Sequence, residues 1–214
     1  MSFEKKAVLL ARTAQQIEHD ILRGIAVQGL HTRGAYNPDV AGRYNNTWEA
    51  WGYDVVIQAV FIELVIILMR LWDGRDDVLS IPRAKEILDD AEFLDWFIQH
   101  ERNNPVTYTP DEREELIRRD LDKFNKAYDD AKGHHTEGGL RGIRNETLAH
   151  NAEEPSAQKA KYGYADDLLE KTIPIAEAIN IIARSHGFHG KDFIEAWATR
   201  ADHFWTAAIK GVPE

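Results

Sequence analysis

The sequence predicts an all-α fold, a single-domain helical bundle of about six to seven helices. Three observations carry that expectation. Apolar side chains recur three and four residues apart through most of the chain, which is the period of one helix face. No stretch alternates apolar and polar residues over the length of a half-buried strand. Helix start and stop residues punctuate the chain between the apolar runs.

Leu10, Ala14, Ile17, Ile21 and Ile25 form one stripe and predict a helix over roughly residues 3–28. Residues 29–45 carry Gly29, Gly34, Pro38 and Gly42 and read as a long loop. Asn46, with Glu49 three residues on, has the form of a capping box for an apolar helix ending near Trp72. Asp73-Gly74 breaks the chain there. Ser80 can cap a helix that tolerates Pro82 in its first turn and continues through Ile87, Leu88, Phe93, Phe97 and Ile98 to Asn103-Asn104-Pro105. Thr109-Pro110-Asp111-Glu112 is a strong start for the next helix, which carries Leu116, Phe124 and Tyr128 to a break near Gly133. A shorter helix with Ile143 and Leu148 begins between Thr136 and Leu140 and ends between His150 and Pro155. Leu168, Ile175, Ile179, Ile182 and His186 fall in phase, with Pro174 either starting that helix or kinking it. Phe193, Trp197, Ala201, Phe204 and Ala208 share the last face, stopped by Gly211-Val212-Pro213. No repeat or linker divides the chain. Residues 1–214 read as one domain, with a motif-bearing core over about 45–155 and C-terminal helices over 164–210 packed on it.

Composition narrows the chemistry. With no cysteine, the chain has no disulfide framework, thiolate nucleophile or Cys-based zinc site, and a reducing cytoplasm suits it. The N-terminus runs straight into an amphipathic pattern without the apolar stretch of a signal peptide. The most apolar segment, Val55 to Met69, is interrupted by Gln58 and Glu63 and falls short of the roughly 20 residues needed to cross a bilayer. A net charge of −10 disfavours loose, charge-driven binding to nucleic acid, so any RNA site has to be a local cleft.

One stretch carries chemistry: Leu140-Arg141-Gly142-Ile143-Arg144-Asn145-Glu146-Thr147-Leu148-Ala149-His150-Asn151. A histidine moves protons near neutral pH, and an arginine offers a fixed fork of permanently charged donors to a phosphate. Asn145 adds hydrogen bonds without charge. Arg144 and His150 are six residues apart, roughly 120° around an ideal helix, so they do not share one face. They converge only if the helix unwinds near His150 or if two subunits pool their motifs. Glu146, four residues before His150, is spaced to orient the imidazole. Arg141, Lys159 and Lys161 bracket the motif and are the local candidates for phosphate contacts.

This stretch resembles the signature of the HEPN superfamily: an Arg, a polar residue, and a His after four to six intervening residues, here ending Leu148-Ala149-His150. More diffusely, Arg70-Leu71-Trp72-Asp73 followed by Ser80-Ile81-Pro82 is similar to the AbiU-type abortive-infection branch, over about residues 45–155. The resemblance implies HEPN-like topology and a homodimer. It also implies metal-independent RNA cleavage leaving a cyclic phosphate, with His150 in proton transfer, Arg144 on the phosphate and Asn145 in support. No cofactor is implied; a neutralising antitoxin protein is a possible partner. A different class of function fits the acidic balance: a catalytically silent HEPN-like module that binds a nucleotide, RNA or another protein.

Other residues have plainer readings. Glu63 inside the apolar helix is expected to face solvent or pair with an arginine. Asp73 reads as a helix-end residue. His134-His135 and His186…His189 read as turn residues, and no metal site is expected. The six tryptophans read chiefly as core or interface anchors. Glu86 to Asp95 reads as a solvated helix face.

Overall fold

Leu10, Ala14, Ile17, Ile21 and Ile25, the first stripe, are all buried. They form the spine of a helical bundle seen in a computed structural model, which describes residues 1–103, 108–137, 140 and 162–210. Among the described residues there are eight helices and no strand: α1 Phe3–Ala35, α2 Pro38–Tyr44, α3 Ala50–Leu71, α4 Ile81–Leu88, α5 Ala91–Asn103, α6 Pro110–Glu137, α7 Tyr162–Arg184 and α8 Gly190–Ile209. No helix among the described residues is long and apolar enough to cross a membrane.

Four points differ from the sequence reading, and two of them, α2 and the division of α4 from α5, raise the helix count above six or seven. Residues 29–45 are mostly helical: α1 runs on to Ala35, and Pro38 opens α2 with Asn37 as its cap. Gly29 and Gly34 both lie within α1, and at Gly34 the missing side chain is needed for contact. A Cβ on Gly34 would lie 2.5 Å from Ile57 Cδ1 and 2.6 Å from the Trp205 indole. The expected helix from Ser80 to Asn103 is split at Asp89-Asp90, where the Asp90 carboxylate accepts a hydrogen bond from Phe93 N at 3.1 Å and so caps α5. Asn46 is no cap: it takes a left-handed φ of 61°, and α3 begins at Ala50 with no side-chain cap.

Other start signals hold. Ser80 Oγ accepts from Arg83 N at 3.4 Å. Thr109 and Glu112 make the reciprocal box, Thr109 N to Glu112 Oε2 at 2.8 Å and Glu112 N to Thr109 Oγ1 at 3.4 Å. Pro174 lies inside α7 and does not start it.

Contacts fix the directions of the helices. Along α1, Asp20 meets Arg70, His31 meets Phe61 and Gly34 meets Ile57, so α3 runs antiparallel to α1. Ala14 meets Asn180 and Gly24 meets Leu169, so α7 is antiparallel to α1 as well. α6 pairs with α7 as an antiparallel hairpin, from Arg113 beside Ile182 to His134 beside Tyr164. Trp205 joins Val40 and Tyr44 in a small second cluster at the far end of α1. Two tryptophans are not anchors of this core: Trp48 is 98% exposed and Trp51 80%.

Candidate functional site

Arg144, Asn145 and His150, with Arg141, Glu146, Lys159 and Lys161, lie outside the described residues, as do Ile143 and Leu148 of the expected short helix. The structure does give what both ends of that stretch are attached to. His134 and His135 sit in the last turns of α6, helical and not in a turn. His134 Nε2 lies 3.3 Å from the Tyr164 carbonyl oxygen in the first turn of α7, and the two rings are 5.2 Å apart. Leu140 is buried in the main core. The chain therefore leaves the hairpin and returns to it at neighbouring points.

The end of α3 is fastened to the same place. Trp72 is 5% exposed, and its indole N–H donates to Thr172 Oγ1 at 3.1 Å. The Thr172 hydroxyl donates in turn to Leu168 O at 2.6 Å. The Trp72 ring stacks on His135 at 5.4 Å and leans on Tyr128 at 5.6 Å. One side chain thus ties α3 to both helices of the α6–α7 hairpin just before the motif-bearing stretch begins. Its neighbours tie other helices. Arg70 Nε donates to Asp20 Oδ2 at 2.8 Å and Arg70 Nη2 donates to Oδ1, while Gln16 Nε2 adds a bond to Oδ1 at 3.1 Å. Asp20 is 1% exposed, so a carboxylate that would be costly to bury alone is matched on both oxygens. The Asp73 carbonyl accepts from Ser80 Oγ at 2.6 Å, setting the start of α4. Arg70-Leu71-Trp72-Asp73 is a junction where α1, α3, α4, α6 and α7 meet.

The charges near this junction are mixed. Lys85 and Lys132 each lie 5.7 Å from the Tyr128 ring centroid. Burial pushes the Tyr128 phenol up, with Lys85 opposing and Asp89 and Asp129 adding to the rise. Burial likewise raises the Asp166 carboxyl near the start of α7; a Gln28 hydrogen bond opposes the rise, and Glu170 and Asp167 add to it. Glu63 pairs with Arg23 at 2.7 Å and is no buried catalytic acid. His186 faces Glu18 at 3.3 Å, and it and His189 lie in the α7–α8 connection. A cavity of about 630 Å³ opens farther along the hairpin, lined by Arg119, Lys123, Lys126, Pro174, Ile181 and Phe188 among others. Arg119 and Lys123 already hold the buried Asp120 carboxylate, at 2.6 and 2.8 Å, which blunts its pull on an anion.

A family model for AbiU2, of the HEPN type, matches residues 9–204. The chain belongs to the AbiU2 family of HEPN domains. No curated protein and no solved structure matches it. The AbiU2 match is wider than the 45–155 span that the motifs suggest: it takes in most of α1 and α8 and therefore both sides of the Asp20–Arg70 pair. In the sequence alone Asp73 of the Arg-Leu-Trp-Asp element reads only as a helix-end residue, Tyr128 as a helix-face residue and His135 as a turn residue, and neither Asp20 nor Thr172 stands out. Asp20 did leave a signal, being a carboxylate three residues after Ile17 at the edge of an otherwise apolar stripe.

Proposed function

We propose that this HEPN-family chain is a metal-independent endoribonuclease, acting as a toxin or antiphage effector in the manner its family name suggests. What supports the reading is one conjunction: family membership over residues 9–204, with Arg144-Asn145…His150 in a stretch whose two ends are held side by side at the α6–α7 hairpin. In the proposed reaction the 2′-oxygen of the RNA attacks the adjacent phosphorus and the P–O5′ bond breaks. The 2′-hydroxyl loses its proton, the departing 5′-oxygen gains one, and the products are a 2′,3′-cyclic phosphate and a 5′-hydroxyl. His150 moves these protons. Arg144 stabilises the charge that builds on the phosphorane oxygens, and Asn145 supports the phosphate by hydrogen bonding. Arg141, Lys159 and Lys161 contact flanking phosphates. The spacing of Arg144 and His150 favours a site shared between two copies of the chain, and an antitoxin protein is the natural neutralising partner.

The net charge of −10 favours a second reading, a silent module that binds RNA, a nucleotide or a protein without cleaving. One experiment separates the two: incubation of a mixed RNA pool with the wild type, His150→Ala and Arg144→Ala in EDTA. The ribonuclease reading expects cutting by the wild type, with losses of about 10²–10⁴-fold for His150→Ala and about 10²–10³-fold for Arg144→Ala. Binding without cutting by the wild type supports the silent module. Wild-type rates in the His150 variant remove His150 from the mechanism.

A further inference from the structure

The cavity of about 630 Å³ beside the α6–α7 hairpin has one apolar half and one charged half. In the apolar half Pro174 is exposed, Ala127 and Ile181 are half-buried, and Ala178 and Phe188 complete the wall. The α7–α8 connection makes its third side. That connection folds back so closely that a Cβ on Gly190 would lie 2.3 Å from Ile173 Cγ2, and Gly190 N donates to Glu177 Oε1 at 2.8 Å. These two contacts hold the neighbouring Phe188 against the hairpin, within the main core. Alanines at 127 and 178 bring only methyl groups to the cavity, so the space beside them stays open.

The charged half lies on α6. Arg119, Lys123 and Lys126 follow one another at spacings of four and three, on one helix face. Arg119 and Lys123 share a single carboxylate, Asp120, which is 1% exposed. Asp130 is taken by Lys171 at 2.6 Å, and Glu177 by the Gly190 N–H. Lys126 is exposed and pairs with no carboxylate among the described residues. With Lys171, four cations therefore face three carboxylates, a local surplus of one positive charge in a chain of net charge −10.

We infer that this cavity binds a small carboxylate with an apolar body, its carboxylate at Lys126 and its body on Pro174, Ile181 and Phe188. The volume lies within the roughly 300–1,000 Å³ of ordinary ligand pockets, which combine an apolar wall with a few polar groups that fix orientation. Covering the open apolar wall removes it from water, which favours a hydrocarbon body. The surplus of one charge selects a single carboxylate. A polyphosphate would bring several negative charges against that one and leave the apolar wall wet. A neutral apolar molecule would leave the cations unused. None of these residues belongs to the Arg144…His150 motif, so the site stands or falls apart from the ribonuclease reading.

Calorimetric titration of the full chain with octanoate tests this. Saturable binding of one molecule per chain is expected, with a Kd on the order of 100 μM for a ligand of about ten heavy atoms. Octanol, the same body without the charge, is expected to bind about fivefold or more weakly, and acetate, the charge without the body, to give no measurable heat. Lys126→Glu, at an exposed position, is expected to keep wild-type helicity and thermal midpoint. It weakens octanoate by about fivefold or more and leaves octanol nearly unchanged. Lys210→Glu, the same charge change just past the end of α8, is expected to leave both affinities alone. Ala127→Phe fills the cavity and is expected to abolish the binding of both; if that variant fails to fold, Lys126→Glu still decides. The inference is overturned if octanoate does not bind saturably, if octanol binds as tightly as octanoate, or if Lys126→Glu keeps wild-type affinity. Wild-type affinity in a folded Ala127→Phe chain overturns it as well.

Discussion

Trp72→Ala and Trp72→Phe measure how much of the bundle rests on one ring. The indole is 5% exposed, so nearly all of its roughly 200 Å² is withdrawn from water on folding. Exchanging it for a methyl group gives up on the order of 150 Å², or about 4 kcal/mol at 25 cal/mol/Å², within the usual range for a buried tryptophan. Phenylalanine keeps most of the contact with His135 and Tyr128 but loses the N–H bond to Thr172. Since the Thr172 hydroxyl still donates to Leu168 O, no donor is stranded, and the expected cost is about 2 kcal/mol. Urea unfolding followed by far-ultraviolet circular dichroism gives both values. A loss under about 1.5 kcal/mol for the alanine variant, or equal losses for the two, refutes the argument that the ring is the fastening between α3 and the hairpin. The same variants test whether that fastening serves the proposed site. RNA cleavage by the folded phenylalanine variant is expected to fall about tenfold or more, because small displacements of reacting groups are costly. Unchanged cleavage assigns Trp72 to the fold alone.

Two further predictions concern charge. Arg113 is 2% exposed and donates to Glu101 Oε2 at 2.9 and 2.7 Å, to Ile181 O at 2.8 Å and to Ile182 O at 2.6 Å, clamping α5 and the end of α7 to α6. Arg113→Ala is expected to cost about 3–5 kcal/mol, a fall of roughly 6–20 °C in thermal midpoint, and Arg113→Lys to recover less than half, since an ammonium cannot span four bonds in one plane; full recovery by lysine counts against the clamp. Asp166, its carboxyl raised by burial, opposes folding when it ionises. The penalty is absent below the ordinary value of about 3.9, grows as pH climbs through the raised folded value, and is complete above it. Asp166→Asn is therefore expected to raise the thermal midpoint at pH 7 and to give no gain near pH 3.5; a gain of equal size at both pH values contradicts the assignment.

Much of the candidate site was legible in its parts and not in its assembly. The motif from Arg141 to His150 stands out in the sequence because an arginine, an amide and a histidine at that spacing are unusual together. Trp72 stands out only as one tryptophan among six. That it meets His135 and Thr172, 63 and 100 residues away, depends on the directions in which α6 and α7 run, and no local spacing encodes that.

By itself, the sequence determined the helical character of the chain, the inward face of α1, the caps at Ser80 and Thr109 and the break at Asp73-Gly74. All of these follow from interactions within a few residues: the helical period, a side chain reaching the nearest free N–H, a turn residue at a helix end. Only the tertiary structure decided what the glycines of α1 do. Read locally, Gly29 and Gly34 are breakers; in the bundle α1 runs through both, and at Gly34 Ile57 and Trp205 come too close for a side chain, so the packing it permits outweighs its cost of roughly 1 kcal/mol in a helix. Tertiary structure likewise decided which side of α3 is spare. Periodicity cannot orient a helix that is apolar all round, and it is the contacts with α1 that leave Trp48, Trp51 and Val55 facing outward.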